Sequence, residues 1–133
     1  MRPFLLSLCL LAATACYRDS PTEPGPVDQE VRLAAGRSTT IEAAQVSIKF
    51  DGVSGDSRCP GDAICIQGGS ATVRFEVTNA AGGRRQLTFE TGNLQPQTYD
   101  SLTVELLELM PYPFSSLPPI RPEDYRAKLR IRR

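Results

Sequence analysis

Two cysteines and three aspartates lie close together in one short part of the chain. Five residues separate Cys59 from Cys65, and Asp51, Asp56 and Asp62 lie in or beside the same segment. Paired thiols can form a disulfide, carry redox chemistry or bind a metal, and carboxylates on a glycine-rich loop could hold calcium. The chemistry of this segment therefore depends on how its thiols and its carboxylates are used.

The spacing of the cysteine pair favours a structural disulfide. Thioredoxin-like redox centres place two residues between their cysteines at the start of a helix, and a structural zinc site needs four ligands. The chain has five residues between Cys59 and Cys65 and contains no histidine. We therefore expect a disulfide that closes a short loop and stabilises the fold by roughly 2 kcal/mol in the chain-entropy model.

The aspartates have two interpretations. Asp51, Asp56 and Asp62 could supply oxygen ligands to calcium, although their spacing matches no EF-hand. Aspartate and glycine are also ordinary turn residues, and Arg58 could pair with one of these carboxylates. We expect an ion pair that fixes the loop, and calcium binding by Asp51, Asp56 and Asp62 stays as the alternative.

The composition argues against several classes of function. The absence of histidine excludes Ser-His and Cys-His catalytic pairs and histidine metal ligands. Fifteen basic residues balance fifteen acidic ones, so charge gives no reason to expect a nucleic-acid partner. No two carboxylates are marked out as converging, which leaves a carboxylate-based hydrolase as an outside alternative. We predict that the protein is not an enzyme.

The last apolar run of the chain carries a basic stripe. Its polar positions could face anionic headgroups, but we expect acidic side chains on neighbouring strands to pair with them across the sheet. The basic residues on one face or at the terminus are Arg126, Lys128, Arg130, Arg132 and Arg133, and the expected acidic partners are Glu76, Glu90 or Glu105.

The first residues indicate an export signal. Arg2 precedes an apolar run over residues 4–13, which is too short to span a bilayer. The small-x-small pattern of residues 13–15 is followed directly by Cys16, which resembles the bacterial lipobox. We predict a signal peptide over residues 1–15, a lipid anchor at Cys16 and a place in the bacterial cell envelope, with the membrane leaflet left open. Ordinary secretion after cleavage at residue 15 is the alternative.

The cysteine count supports lipidation. Cys9 would leave with the signal peptide and Cys16 would carry lipid, so an even pair would remain for an oxidising compartment. Residues 16–29 contain Pro21, Pro24 and Pro26 and have no apolar period, which predicts a flexible tether.

From residue 30 to residue 133 the apolar period is two, which predicts one β domain. About seven alternating runs separated by glycine- and proline-rich turns predict an all-β, antiparallel β-sandwich or squat barrel with one internal disulfide. We expect a hairpin at residues 79–83, and a bulge or two covered faces where the parity changes near Leu107. Residues 110–123 contain five prolines and are expected to form an ordered loop over one end, with a cis proline after Tyr112.

The Asp-Ser-Arg-Cys-Pro sequence at residues 56–60, with Cys65 and the tail over residues 119–125, resembles a set of small bacterial secreted or lipoprotein domains. The resemblance covers nearly the whole chain after the tether and implies the fold and the location, but no activity. Those proteins commonly have tryptophan two residues after the second cysteine, where this chain has Gln67. A ligand contact made by that tryptophan would be lost here.

These observations together predict a non-enzymatic, lipid-anchored β domain of the cell envelope, with a binding or structural role. Its partners would be the membrane, through Cys16, and an envelope protein or ligand that the sequence does not identify. The alternative is a ligand- or calcium-binding domain that uses the aspartate- and glycine-rich disulfide loop.

Overall fold

Alternating apolar side chains place eight strands in two antiparallel sheets. A computed structural model describes residues 25–133, so the predicted signal peptide, Cys16 and most of the predicted tether lie outside the described residues. The strands are β1 (Asp28–Ala34), β2 (Ser38–Ile41), β3 (Val46–Asp56), β4 (Ala71–Asn79), β5 (Arg84–Glu90), β6 (Gln97–Tyr99), β7 (Leu102–Met110) and β8 (Arg126–Arg132). Short 3-10 turns occupy Glu42–Ala44 and Pro122–Asp124. No helix in residues 25–133 is long and apolar enough to cross a membrane.

The two sheets pack face to face as a β-sandwich, which confirms the predicted fold class. One sheet has the strand order β1-β8-β7-β6 and the other has the order β2-β3-β4-β5. The inward side chains are buried because each strand alternates between the core and the solvent. Phe50, Phe75 and Phe89 form a row in one sheet, with ring centroids 5.0 and 5.9 Å apart.

The eighth strand, β6, was not expected from the sequence. It has three residues and one buried side chain, Tyr99, so it contains no alternating pattern to detect. The hairpin between β4 and β5 is confirmed: the Asn79 amide donates to the Gly83 carbonyl, and Gly82 has a φ of +83°, which favours glycine. The parity change in β7 is a bulge, since the register with β8 shifts between Leu106 and Glu108.

The domain has two ends of different character. We call the end at which the chain enters the sandwich the entry end. There, Val27 is buried and its carbonyl accepts a hydrogen bond from the Arg133 amide. β1 therefore begins at Asp28, two residues before the boundary that the sequence predicts. The opposite end, called the loop end, carries the disulfide loop (residues 57–70) and the proline-rich loop (residues 111–125). The seven residues of β8 place the two ends roughly 20 Å apart.

Candidate functional site

The disulfide loop joins β3 to β4 and is closed by a backbone hydrogen bond at its base and by the disulfide within it. The Ser57 amide donates to the Ser70 carbonyl at 2.8 Å, which continues the strand pairing into the loop. The predicted disulfide between Cys59 and Cys65 is present, with Cα atoms 6.0 Å apart. A Cβ at Gly69 would lie 1.6 Å from the Ser57 carbonyl oxygen, so this approach of the two chains requires glycine.

Arg58 is the buried polar residue of the described domain, with 8% of its surface exposed. Its Nε and Nη2 atoms donate to the two carboxylate oxygens of Asp56, at 2.8 and 2.6 Å. Nη1 donates to the Leu109 carbonyl and Nη2 also donates to the Pro111 carbonyl, both at 2.9 Å. The Arg58 guanidinium carbon lies 5.2 Å from the centroid of the Tyr112 ring. Arg58 therefore joins the disulfide loop to β7 and to the proline-rich loop.

Asp56 has a second partner residue at the far side of the proline-rich loop. The Tyr125 hydroxyl donates to Asp56 Oδ2 at 2.9 Å. Burial alone would raise the pKa of Asp56, but the hydrogen bonds from Arg58 and Tyr125 and the Arg58 charge lower it below its usual value. Burial, together with the hydrogen bond to Asp56 and its charge, raises the pKa of Tyr125 to about 12. Asp56 is thus ionised and Tyr125 is protonated at neutral pH.

Asp62 joins the two loops a second time. Its carboxylate oxygens accept from the Ser115 and Ser116 amides at 2.6 and 2.9 Å. These hydrogen bonds, with that from Ser115 the strongest, hold the pKa of Asp62 well below its usual value. Next to it the Gly61 amide donates to the Pro113 carbonyl at 2.9 Å, and a Cβ at Gly61 would lie 2.9 Å from the Phe114 ring.

The proline-rich loop is ordered over the loop end, as the sequence predicts. The expected cis proline after Tyr112 is wrong, because the cis peptide bond lies between Met110 and Pro111.

The predicted aspartates do not converge on one point. Asp51 pairs with Lys49 at 3.1 Å, Asp56 pairs with Arg58, and Asp62 caps the Ser115 and Ser116 amides. Within residues 25–133 no group of three or more cysteine, aspartate or glutamate side chains is arranged to hold a metal ion. The ion pair that the sequence favours is present, and calcium binding stays a prediction.

The basic stripe of β8 is paired mainly with β1, whose acidic residues were not among the expected partners. Lys128 and Arg130 pair with Glu30 and Asp28 of β1, and Arg132 pairs with Glu105 of β7. The expectation for Glu76 and Glu90 is wrong because both lie in the other sheet, and Glu90 accepts from the Ser70 and Thr72 hydroxyls. Most of the stripe is therefore neutralised within the domain.

The loop end exposes large apolar side chains that were not among the predicted site residues. Ile64 and Ile66 are fully exposed, and the proline-rich loop adds half-exposed aromatic and leucine side chains. A cavity of about 370 Å³ lies in this loop, lined by prolines and by Tyr112, Phe114, Leu117 and Ile120. We call the set formed by Ile64, Ile66, Tyr112, Phe114 and Leu117 the apical surface. Apolar residues between closely spaced prolines were the one signal for it in the sequence.

No protein-family model, curated protein or solved structure matches this chain. The similarity to domains with an Asp-Ser-Arg-Cys-Pro sequence therefore stays a prediction from the residues. What the loop end can do chemically follows from its side chains. Arg58, Asp56 and Asp62 are engaged within the domain, which leaves apolar contact as the main interaction that the apical surface can offer a partner.

Proposed function

We propose that the protein is a lipid-anchored domain of the bacterial cell envelope that acts by binding a partner through its apical surface, and that it is not an enzyme. The observation that carries this proposal is the full exposure of Ile64 and Ile66 in the disulfide loop, together with an apolar cavity of about 370 Å³ in the proline-rich loop, to which the disulfide loop is hydrogen-bonded. Contiguous exposed apolar surface is uncommon on a monomer and marks sites of interaction. The disulfide and the contacts of Arg58 and Asp62 restrain the two loops that carry this surface, which lowers the entropy lost on binding.

The ionisable groups of the loop end support binding over catalysis. Asp56 is held ionised by Arg58 and Tyr125, and Tyr125 is held protonated, so neither is poised to exchange a proton near neutral pH. The same side chains tie the two loops to each other and to β7. The polar contacts of these side chains therefore have a structural role. The exposed apolar side chains of the apical surface have no such role and are free to contact a partner.

The position of the tether supports a partner away from the anchor. The chain enters the sandwich at Val27, whereas the apical surface lies at the opposite end. A lipid at Cys16 would hold the entry end near its membrane. The apical surface is then the part of the domain farthest from the attachment point, directed toward molecules that approach from the aqueous side.

The anchor is tested by intact-mass measurement of the protein from membrane fractions. Diacylation of Cys16 is expected, and a Cys16→Ser variant is expected in the soluble fraction. An unacylated mature chain in the native envelope would remove the anchor from the proposal and leave a secreted domain.

The apical surface is tested by photo-crosslinking in cells that make the full chain. A photoreactive amino acid at position 114 is expected to give adducts of discrete mass. The matched control places the same amino acid at position 40, where Thr40 is exposed near the entry end. Equal labelling at both positions, or none at position 114, would overturn the proposal.

A further inference from the structure

β1 is the outer strand of its sheet, and half of its backbone hydrogen-bonding groups point away from that sheet. At one end of its ladder with β8 the Arg133 amide donates to the Val27 carbonyl. At the other end the Ala35 amide donates to the Tyr125 carbonyl. Bonded pairs alternate along an antiparallel ladder, so the odd-numbered residues of β1 bond to β8. The even-numbered residues therefore direct their amides and carbonyls to the open edge.

The open edge is short and its free groups can be named. Asp28, Glu30 and Arg32 each place an amide and a carbonyl there, and these groups make no hydrogen bond within the described domain. Ala34 adds its amide alone, because its carbonyl accepts from the Arg37 amide at 2.9 Å and closes the turn to β2. The open edge therefore extends from Asp28 to the Ala34 amide.

The opposite side of the sandwich is closed by side chains. There the Arg85 side chain of β5 donates to the Thr98 carbonyl of β6 at 3.1 Å, and the Gln97 side chain of β6 donates to the Thr88 carbonyl of β5. Side chains thus bridge the two sheets on that side, whereas no side chain of the described residues bonds to the open edge of β1. A free strand edge of this kind is a template for pairing with another chain.

The charges on the outer face of β1 favour an acidic group opposite Arg32. Arg32 makes no salt bridge in the described domain and lies directly across the ladder from Lys128, a like charge. The surface cavity beside it, of about 270 Å³, adds Arg126 and a single carboxylate, that of Glu108. Lys128 is engaged with Glu30, whose side chain is still 46% exposed. A carboxylate brought to the open edge beside Arg32 would therefore be stabilising.

We infer that β1 is a self-association surface, which pairs antiparallel with β1 of a second copy of this chain around a two-fold axis at Val31. In this register the even-numbered residues meet in bonded pairs, so Glu30 of each copy lies opposite Arg32 of the other. Each Arg32 gains the carboxylate that it lacks. Each Glu30 keeps Lys128 and gains a second donor, because a carboxylate accepts on both oxygens. The interface is isologous, since the same residues serve both copies.

Charge selects this register over its neighbours. A two-fold axis at Glu30 would place two glutamates opposite each other, and one at Arg32 would do the same with two arginines, both destabilising. The inward face agrees, because the half-buried Val31 meets its own copy and extends the apolar layer between the sheets. Backbone parity, charge and apolar contact therefore coincide when the axis lies at Val31.

The pairing is compatible with the anchor and with the proposed function. Antiparallel β1 strands place the loop ends of the two copies at opposite extremities of the dimer, so both apical surfaces stay exposed. Residues 16–26 of the predicted tether can span at most roughly 36 Å, which exceeds the length of β1, so both copies can be anchored in one membrane.

The test is cysteine cross-linking of the full-length, anchored chain in isolated cell envelopes. Val31→Cys places two thiols at the two-fold axis, with Cα atoms about 4.5 Å apart, within reach of a disulfide. Gln29→Cys is the matched control, because it lies on the same face of β1, is more exposed, and would be roughly 14 Å from its copy. We expect mild oxidation to give a covalent dimer of Val31→Cys and at least about fivefold less of Gln29→Cys.

Exposed positions give the same test without altering the half-buried Val31. Glu30→Cys in one copy and Arg32→Cys in a second, differently tagged copy should form a mixed covalent dimer, because these positions lie opposite each other with Cα atoms about 5.5 Å apart. One ion pair between Arg32 and Glu30 remains in that dimer. Glu30→Cys alone should give little dimer, since its copy lies two residues out of register.

Charge reversal tests whether the ion pairs select the second copy. Arg32→Glu or Glu30→Arg, each combined with Val31→Cys, places like charges opposite each other and should abolish the cross-link. Mixing the two charge variants restores opposite charges at both positions, so the cross-link should return between them. Absence of both the Val31→Cys dimer and the mixed dimer, equal yields at positions 29 and 31, or a cross-link that charge reversal leaves unchanged would overturn the inference. None of these results bears on photo-crosslinking at position 114.

Discussion

Between the two sheets, buried phenylalanine, leucine, isoleucine and valine side chains pack against one another, whereas at the loop end the buried group is a guanidinium surrounded by oxygen atoms. The first region is stabilised by the removal of apolar surface from water, which has no directional requirement. The second depends on hydrogen bonds from Arg58 and to Asp62, and on one disulfide, all of which require defined geometry.

This difference indicates which interactions stabilise the whole domain and which stabilise only the two loops. Apolar burial makes the sandwich a cooperative unit, and directional contacts attach to it two loops that contain little buried apolar surface of their own. Regions with few buried apolar contacts can open without global unfolding. We therefore expect substitutions in the sandwich to destabilise the whole domain, and substitutions at the loop end to act increasingly locally as they move away from Arg58.

The largest effect is expected for Phe75→Ala. Phe75 is fully buried and lies between Phe50 and Phe89, so truncation loses apolar contact and leaves a cavity. We expect the free energy of unfolding to fall by about 3–5 kcal/mol in urea titrations. Phe114→Ala is the matched control, because Phe114 is 42% exposed at the loop end, and it should cost less than about 1 kcal/mol. Similar losses for the two variants would contradict the comparison.

The next effect is expected for Arg58→Met. The substitution removes the partner of Asp56, whose side chain is 12% exposed, and the donor to the Leu109 and Pro111 carbonyls. Loss of one member of a largely buried pair should lower the free energy of unfolding by about 3 kcal/mol. Arg121→Met removes an exposed pair with Asp124 and should leave the free energy of unfolding nearly unchanged. A loss at Arg58 no larger than that at Arg121 would show that the loop end does not depend on the guanidinium.

The sandwich could be predicted from the sequence and most of the loop end could not, for a physical reason. Alternation along runs such as residues 71–77 is a local signal, because the buried face of each strand can be recognised from the strand's own residues. The contacts of Arg58 with Leu109 and of Asp62 with Ser115 join residues more than 50 positions apart. Nothing local marks such partners. The disulfide was predictable because the cysteines are few, and β6 was missed because three residues carry no period.

A moderate effect is expected when both cysteines are replaced, as Cys59→Ser with Cys65→Ser. The disulfide closes a loop with a sequence separation of 6, so the chain-entropy model gives a loss of about 2 kcal/mol. The pairing of β3 with β4 below the loop should persist, which amide exchange would report. Loss of protection throughout both sheets would show that the loop end and the sandwich form one cooperative unit, and the distinction between them would be wrong.

The smallest and most local effect is expected for Asp62→Asn. Because the pKa of Asp62 in the folded protein is well below that of the unfolded chain, about 3.9, its stabilising effect is fully present above that value and is lost as the pH falls through the folded pKa. At pH 6 the variant should show reduced amide protection at Ser115 and Ser116, since the neutral amide is a weaker acceptor than the carboxylate.

Acidification separates this local effect from a general one. As the pH falls through the pKa of folded Asp62, which lies well below about 4, the carboxylate of the wild-type protein takes up a proton, so protection at Ser115 and Ser116 should decline toward that of the variant. Asp51→Asn changes the net charge equally but affects a residue that pairs with Lys49, outside the two loops, and should leave protection at Ser115 and Ser116 unchanged. If Asp51→Asn reduced that protection as much as Asp62→Asn did, net charge rather than the capping carboxylate would hold the two loops together.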